Sequence, residues 1–198
     1  LKDESPDVRI DAILALKTSN DLTALNELAD ALKDPILEVK SAAAEVLGYH
    51  GKNATTAVLA ALDESLGKRQ FQTARFGVRA AGIIGSTEFV PVLLDALTCE
   101  DGFVASEAAL ALGKIRDLRA CPDLIDALQH KDANVRFAAV QALGNLADPQ
   151  AVSALETRLR DDSDEGIQAK ALWAINRIRR KPFGTSTMTA IHTSTNLK

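Results

Sequence analysis

Residues 132–144 read Asp-Ala-Asn-Val-Arg-Phe-Ala-Ala-Val-Gln-Ala-Leu-Gly, and variants of this segment recur along the chain. Val135, Ala139 and Leu143 fall on one stripe at the 3.6-residue period of an α-helix. Asp132 stands three residues before Val135, where a carboxylate can cap the first turn. The stretch therefore predicts a capped amphipathic helix with one buried face.

Five further segments align with this helix when Val135 is taken as position 0. Position 0 then falls at residues 8, 39, 76, 104, 135 and 167, and the third copy runs from Phe76 to Gly85. The spacing averages about 32 residues, which is typical of helical repeats. Position 4 is alanine in all six copies, and position 8 is leucine or isoleucine. Position 9 is glycine in four copies, which fits either a helix end or a tight helix crossing.

A second amphipathic segment lies between successive copies: Asp21–Leu32, Thr55–Leu66, Glu88–Leu97, Ala120–Leu128 and Gln150–Leu159. Such a helix pair is too small to bury its apolar faces alone, so neighbouring pairs must stack into a continuous core. We therefore predict an all-α fold over residues 1–181. It is a right-handed α-α superhelix of about five helix pairs plus a half repeat. Residues 182–198 become rich in Ser and Thr and predict a flexible tail.

Composition excludes several classes of protein. The net charge of −4 and the pI near 5.4 argue against a dedicated nucleic-acid binder. No apolar run approaches the roughly 18 residues that a membrane span needs. The two cysteines, Cys99 and Cys121, form no CxxC pair and indicate reduced thiols, with a disulfide between neighbouring repeats as the alternative. We expect a cytoplasmic protein.

Catalytic signatures are missing from the sequence. His50, His130 and His192 stand alone, without an Asp, Glu or Cys at the spacing of metal ligands. The sequence also has no phosphate-binding glycine loop and no Ser-His-Asp arrangement. We therefore expect no metal, no cofactor and no catalytic residue.

The pattern Asp-x-x-Val-Arg-x-x-Ala-x-x-Ala-Leu-Gly resembles HEAT repeats of the type seen in phycobilin lyases. Residues 132–144 match it almost completely, and residues 101–113 match except that Ala105 replaces Arg. The resemblance extends over residues 1–181 and implies a HEAT-like solenoid. Such repeats occur in bilin lyases and related phycobilisome proteins, in protein-binding scaffolds and in accessory domains of enzymes.

The resemblance also implies where a partner binds, because the second helix of each HEAT-like pair lines the concave face. Positions 2, 6 and 10 project there; in the third copy they are Val78, Gly82 and Ser86. Exposed aromatic residues among polar ones are what binding surfaces favour. The predicted partner-binding residues are Tyr49, Leu110, Lys114, Phe137, Gln141, Trp173 and Arg177. Alternatively, the aromatic residues pack on the next repeat, and Trp173 closes the core at the end of the array.

The spacing of 37 residues between the second and third copies predicts an insertion near residues 67–75. This segment carries Arg69, Phe71 and Arg75. Insertions in solenoids are often loops on the binding face. The alternative is a longer helix with a solvated charged side.

Three functions remain open from the sequence. The first is a non-enzymatic scaffold, alone or as one domain of a larger protein, whose concave face holds an extended segment or helix of a partner protein. The second, implied by the resemblance alone, is a phycobilisome-associated bilin lyase or chromophore-handling chaperone with a bilin or phycobiliprotein subunit as partner. The third is an accessory domain of a larger enzyme.

Overall fold

The computed structural model describes residues 1–19 and 21–180, and the tail predicted at 182–198 lies outside these residues. The described residues form α-helices joined by short 3-10 turns, with no β-strand among them. The helices are α1 (Pro6–Ala15), α2 (Leu22–Asp30), α3 (Leu37–His50), α4 (Thr55–Gly67), α5 (Phe71–Ile84), α6 (Val90–Leu97), α7 (Gly102–Ile115), α8 (Cys121–Ala127), α9 (Ala133–Leu146), α10 (Val152–Asp161) and α11 (Glu165–Arg180).

The helices form two layers. The odd-numbered helices, which we call the inner helices, stack on one another in chain order from α1 to α11. The even-numbered helices form an outer layer, each packed against the inner helix that follows it. Both layers bury their apolar stripes in one hydrophobic core that runs along the array. The predicted solenoid of five helix pairs preceded by one inner helix is therefore confirmed.

Three aspartates set the starts of inner helices as the sequence predicts. The side chains of Asp101, Asp132 and Asp164 each accept a hydrogen bond from the amide two residues later, at 2.8–3.0 Å. The bond supplies a partner for an amide that the first turn leaves unpaired. The three helices that these aspartates cap, α7, α9 and α11, each begin two residues before position 0.

The third copy lies three residues earlier in the chain than the sequence alignment placed it. Since α5 begins at Phe71, its position 0 is Thr73 and not Phe76. The glycine of position 9 is then Gly82, and Gly85 instead ends the helix with a φ of 71°. The spacings of 37 and 28 residues around this copy become 34 and 31.

The glycines of position 9 let the inner helices approach closely. A Cβ added to Gly113 would lie 2.6 Å from Cα of Ala142, and one added to Gly82 would lie 3.0 Å from Cβ of Ala111. Successive outer helices contact each other much less than successive inner helices do. The inner helices are therefore the more extensively packed layer of the array.

Candidate functional site

Each inner helix turns one stripe of side chains to solvent. The stripe consists of positions −1, 2, 3, 6 and 10, which share a face because they are three or four residues apart. We call the combined stripes of α1, α3, α5, α7, α9 and α11 the inner surface. All of its residues lie in the described part of the chain; position 10 of α1 is Thr18, which falls in the turn after that helix.

The structure places all seven residues of the predicted binding set on the inner surface. Tyr49 is 64% exposed, Phe137 39% and Trp173 38%. Of the other four, Lys114 and Arg177 are exposed, and Leu110 and Gln141 are half-buried. The rings of Tyr49 and Phe137 are therefore accessible, whereas the ring of Trp173 also packs against Gly144 of α9. The role of all three in binding remains a prediction.

In the third copy the predicted positions are wrong. Val78 and Gly82 are buried, and Ser86 lies beyond the end of α5. The shift of three residues turns the helix by about 60°, because each residue advances it by about 100°. The residues that α5 presents on the inner surface are instead Arg75, Arg79 and Ile83.

The predicted insertion loop is also wrong for two of its three residues. Phe71 is the first residue of α5 and packs half-buried against the core, and Arg75 lies one turn further along the same helix. Arg69 does lie in the connection, at a φ of 55°, where its guanidinium pairs with Glu100. The additional residues lengthen α4 to 13 residues, which is the alternative of a longer helix.

Cations lie over the exposed rings of the first three repeats. The ammonium of Lys17 is 4.6 Å from the ring centre of Tyr49. The guanidinium of Arg75 on α5 is 5.2 Å from the ring centre of Phe103 on α7. Phe103 is 64% exposed at position −1. Sequence reasoning missed it because only positions 2, 6 and 10 were considered.

The last two inner helices share a larger cluster of the same kind. The ammonium of Lys170 lies 5.4 Å from the ring centre of Phe137 and 4.6 Å from that of Trp173. The guanidinium of Arg177 lies 5.5 Å from the ring centre of Trp173. A cation over an aromatic face is attracted by the electron density of the ring.

Charges on the inner surface are separated by sign. At its positions α1 and α3 carry four carboxylates and no cation; the carboxylates are Asp7, Asp11, Glu38 and Glu45. At the same positions α5, α7 and α11 carry five cations, and the one carboxylate there is Glu107. The cations are Arg75, Arg79, Lys114, Lys170 and Arg177. One end of the surface is thus acidic and the rest is basic, although the whole chain has a net charge of −4.

A pocket of about 280 Å³ opens where the two regions meet. It lies between α3, α5 and α7, and its lining includes Ser41, Arg75 and Glu107. The guanidinium of Arg79 at its edge donates to the carboxylate of Glu45 at 3.1 Å. The pocket combines two guanidinium groups and two carboxylates with the apolar side chains of Leu37 and Phe76, and its size suits one side chain of a bound polypeptide.

The arginine of position 1 does not belong to the inner surface. Arg9 and Arg136 instead turn into the connections, where each donates to an aspartate that precedes the next inner helix. These aspartates are Asp34 and Asp162. The repeated arginine therefore joins neighbouring repeats and does not form a basic ladder for a ligand.

The pattern of this chain matches a family model described as HEAT repeats over residues 1–81 and 90–176. The chain belongs to the HEAT-repeat family. No curated protein matches it.

Solved structures show the same HEAT-type architecture. One is a chain of the complex of CpcE and CpcF of phycocyanin lyase from Nostoc sp. PCC7120, with a TM-score of 0.70 and 20% identity over 78% of this chain and 99% of that one. Another is a designed armadillo repeat protein in complex with the peptide (KR)4, with a TM-score of 0.55 and 19% identity over 88% of this chain and 95% of that one. At these identities the likeness shows the fold alone.

The two histidines that the structure describes in this HEAT array are hydrogen-bonded to the main chain. His50 Nε2 lies 3.1 Å from the carbonyl oxygen of Leu16, and His130 Nδ1 accepts from the amide of Asp132 at 3.0 Å. Cys99 and Cys121 are both free thiols. His192 lies outside the described residues.

Neither a metal centre nor a membrane-spanning helix is found among the described residues. No group of three or more His, Cys, Asp or Glu side chains there is arranged to hold a metal ion. None of the helices there has the length and apolarity that crossing a bilayer requires.

Proposed function

We propose that this HEAT-repeat protein is a non-enzymatic scaffold that binds a partner protein on its inner surface. The observation that carries the proposal is the row of exposed aromatic rings on that surface, each with a cation over its face. The rings are those of Tyr49, Phe103, Phe137 and Trp173.

Exposed rings of this size support binding for an energetic reason. Burying a large aromatic side chain in a contact stabilises the complex by about 1.5–3 kcal/mol, and interface residues that dominate affinity are enriched in aromatic residues and arginine. Phe103 and Phe137 lie on adjacent inner helices together with Leu110, which is half-buried. A segment laid across these helices therefore contacts several apolar side chains at once.

The comparisons support a protein partner in a general way. The phycocyanin lyase chain of similar fold belongs to a complex of two proteins, and the designed armadillo repeat protein was solved with a peptide bound. These two complexes are properties of those proteins. They support the proposal because an array of the same fold offers the same kind of long concave surface.

The test is a pull-down from extract of the native cells, read by quantitative mass spectrometry. The bait is compared with the double variant Tyr49→Ala/Phe137→Ala, which removes two rings of the inner surface. The matched control is Leu22→Ala/Leu118→Ala, which removes two side chains that are 70% and 57% exposed but lie off the inner surface. Circular dichroism establishes that all three proteins are folded.

We expect one or more proteins to be enriched by the unaltered chain and by the control, and lost with Tyr49→Ala/Phe137→Ala. Equal capture by the control and the inner-surface variant contradicts the proposal. A reaction that the isolated chain catalyses on the captured protein contradicts the non-enzymatic part.

Chromophore handling is the second candidate function. It is supported by the fold shared with a chain of the phycocyanin lyase complex. The test is titration of the purified chain with a free bilin while the visible absorption is recorded. A saturable shift that is lost in Phe137→Ala/Trp173→Ala favours this function over the scaffold, and an unchanged spectrum excludes it.

A further inference from the structure

The charge separation along the inner surface indicates what kind of partner fits. Five cations and one carboxylate lie on the inner surface from α5 to α11, while the end at α1 and α3 carries four carboxylates and, next to Tyr49, the single cation of Lys17. A basic patch in a chain of net charge −4 is a local feature, because the average surface of such a chain is negative. Electrostatic complementarity therefore selects an acidic ligand for the stretch from α5 to α11.

The apolar side chains of the same stretch add a second requirement. Phe103, Leu110, Phe137 and Trp173 lie among the cations, so a ligand that carries charge alone leaves them in water. The best fit alternates carboxylates with apolar side chains. Neighbouring helix axes are about 8–10 Å apart, and three residues of an extended chain in the polyproline II conformation span about 9 Å. One apolar residue and one carboxylate in every three residues therefore match one inner helix.

Single-stranded nucleic acid also binds to aromatic rings and cations. The inner surface favours a polypeptide because Glu107 lies within the basic stretch, and Glu38 and Glu45 border it at the pocket. A phosphate backbone places a negative charge at every nucleotide and meets these carboxylates wherever it lies. An acidic peptide can place uncharged residues opposite them.

We propose that the partner segment is an extended, acidic polypeptide with regularly spaced apolar residues, bound across α5, α7, α9 and α11. This inference rests on the proposed function. Arg75 and Lys170 attract its carboxylates, and Phe103 and Phe137 contact its apolar side chains. The carboxylates of α1 and α3 repel the acidic segment, and this repulsion fixes which part of the array it occupies.

The test uses a synthetic fluorescent peptide of four consecutive Leu-Glu-Pro units and measures binding by fluorescence anisotropy. The prolines hold the peptide extended, so that leucine and glutamate each recur about every 9 Å. Peptides with Lys or Gln in place of Glu are the matched ligands, and oligo(dT) of the same number of units is the nucleic-acid probe. The protein variants are Arg75→Gln/Lys170→Gln and, as a control with the same change in charge, Lys52→Gln/Lys131→Gln.

We expect the Glu peptide to bind with an affinity that falls as salt is raised, and the Lys peptide not to bind. Arg75→Gln/Lys170→Gln weakens binding of the Glu peptide about ten-fold, because two charge contacts are lost. Phe103→Ser/Phe137→Ser also weakens binding of the Glu peptide, but it leaves the salt dependence of the affinity unchanged, because no charge is removed. Lys52→Gln/Lys131→Gln leaves the affinity unchanged, since both lysines lie in turns away from the inner surface.

Any of three results overturns the inference. The first is equal binding of the Glu and Gln peptides, and the second is equal weakening by Arg75→Gln/Lys170→Gln and by the control Lys52→Gln/Lys131→Gln. The third is tighter binding of oligo(dT) than of the Glu peptide. Its failure is distinguishable from failure of the scaffold function. If the Glu peptide does not bind but capture of a native protein still depends on Phe137, the acidic chemistry is wrong and the scaffold stands. If neither is observed, both are wrong.

Discussion

The guanidinium of Arg136 forms a bidentate ion pair, which we call the clasp, with the carboxylate of Asp162 in the next repeat. Arg136 Nε and Nη2 donate to Asp162 Oδ2 and Oδ1 at 2.9 and 3.0 Å, and both side chains are nearly buried. Arg136 Nη1 also donates to the carbonyl oxygens of His130 and Lys131, which lie in the connection before its own helix. One side chain thus fixes the relative position of two repeats.

The same geometry recurs at the other end of the array. Arg9 Nε and Nη2 donate to Asp34 Oδ2 and Oδ1 at 2.8 and 3.0 Å, and Nη1 donates to the carbonyl oxygens of Asp3 and Glu4. Position 1 is Lys40 in α3, and alanine in α5 and α7. The clasp therefore joins the first and last pairs of inner helices, while the middle ones rely on apolar packing and close glycine contacts.

Replacing Arg136 by Met is expected to lower the free energy of unfolding by about 2–4 kcal/mol, because Asp162 then stays buried with an incomplete set of partners. Arg158 Nη1, at 3.5 Å from Asp162 Oδ2, compensates for part of the loss. Urea unfolding followed by circular dichroism measures the change. The control is Arg119→Met, which breaks the exposed pair with Asp117 and should leave the midpoint unchanged. Equal effects of the two substitutions would show that the clasp adds nothing beyond a surface ion pair.

Acid is expected to weaken the fold through the same carboxylate. The hydrogen bonds from Arg136 outweigh the opposing effect of burial and hold the pKa of Asp162 below its ordinary value of 3.8. Between this lowered pKa and the ordinary value, the folded state binds fewer protons than the unfolded state, so the free energy of unfolding rises with pH. The contribution is complete above about pH 4 and is lost as the pH falls through the depressed pKa.

Urea midpoints between pH 2 and pH 7 test this dependence. In Asp162→Asn the loss of stability below pH 4 should be smaller than in the unaltered protein. In Asp161→Asn, which removes the exposed carboxylate next to it, the loss should be unchanged. An identical pH dependence in all three proteins rules out Asp162 as a source of acid sensitivity.

Gly113→Ala is expected to destabilise the protein by about 1–3 kcal/mol, although alanine favours helices more than glycine does. The added methyl group would lie 2.6 Å from Cα of Ala142, and main-chain atoms there cannot give way without moving α9. Gly67→Ala at the end of α4 meets nothing within 4 Å and should leave stability unchanged or raise it by up to about 1 kcal/mol. Melting temperatures decide the sign, and stabilisation by both substitutions contradicts the close approach of the inner helices.

The two cysteines are expected to differ in reactivity. Burial, together with Asp148, raises the pKa of the Cys121 thiol to about 11, so about one molecule in a thousand carries the thiolate at pH 8. Cys99 is half-buried and therefore more accessible to a reagent. With iodoacetamide, mass spectrometry should show one adduct at Cys99 in the native state and two in urea. Alkylation of both thiols at the same rate without urea shows that α8 opens readily.

Much of the inner surface was predictable because its positions follow from helical periodicity. Tyr49, Phe137 and Trp173 repeat at fixed distances from the apolar stripe, so their exposure follows once the stripe is known. Phe103 was not predicted because it precedes position 0, and its contact with Arg75 joins two helices. The periodicity of a single repeat does not reveal which side chains of two neighbouring repeats are in contact.

The helix pairs, their order along the chain and the capping aspartates of α7, α9 and α11 were predictable from the sequence, because these depend on spacing within about one helical turn. Tertiary structure alone decided the register of α5. With Phe76 as position 0 the segment keeps alanine at position 4 and isoleucine at position 8, whereas with Thr73 these positions are Gly77 and Ala81, so the sequence pattern favours Phe76. The packed structure has Thr73 as position 0, which buries Val78 and sets Gly82, which has no side chain, against Ala111 of α7.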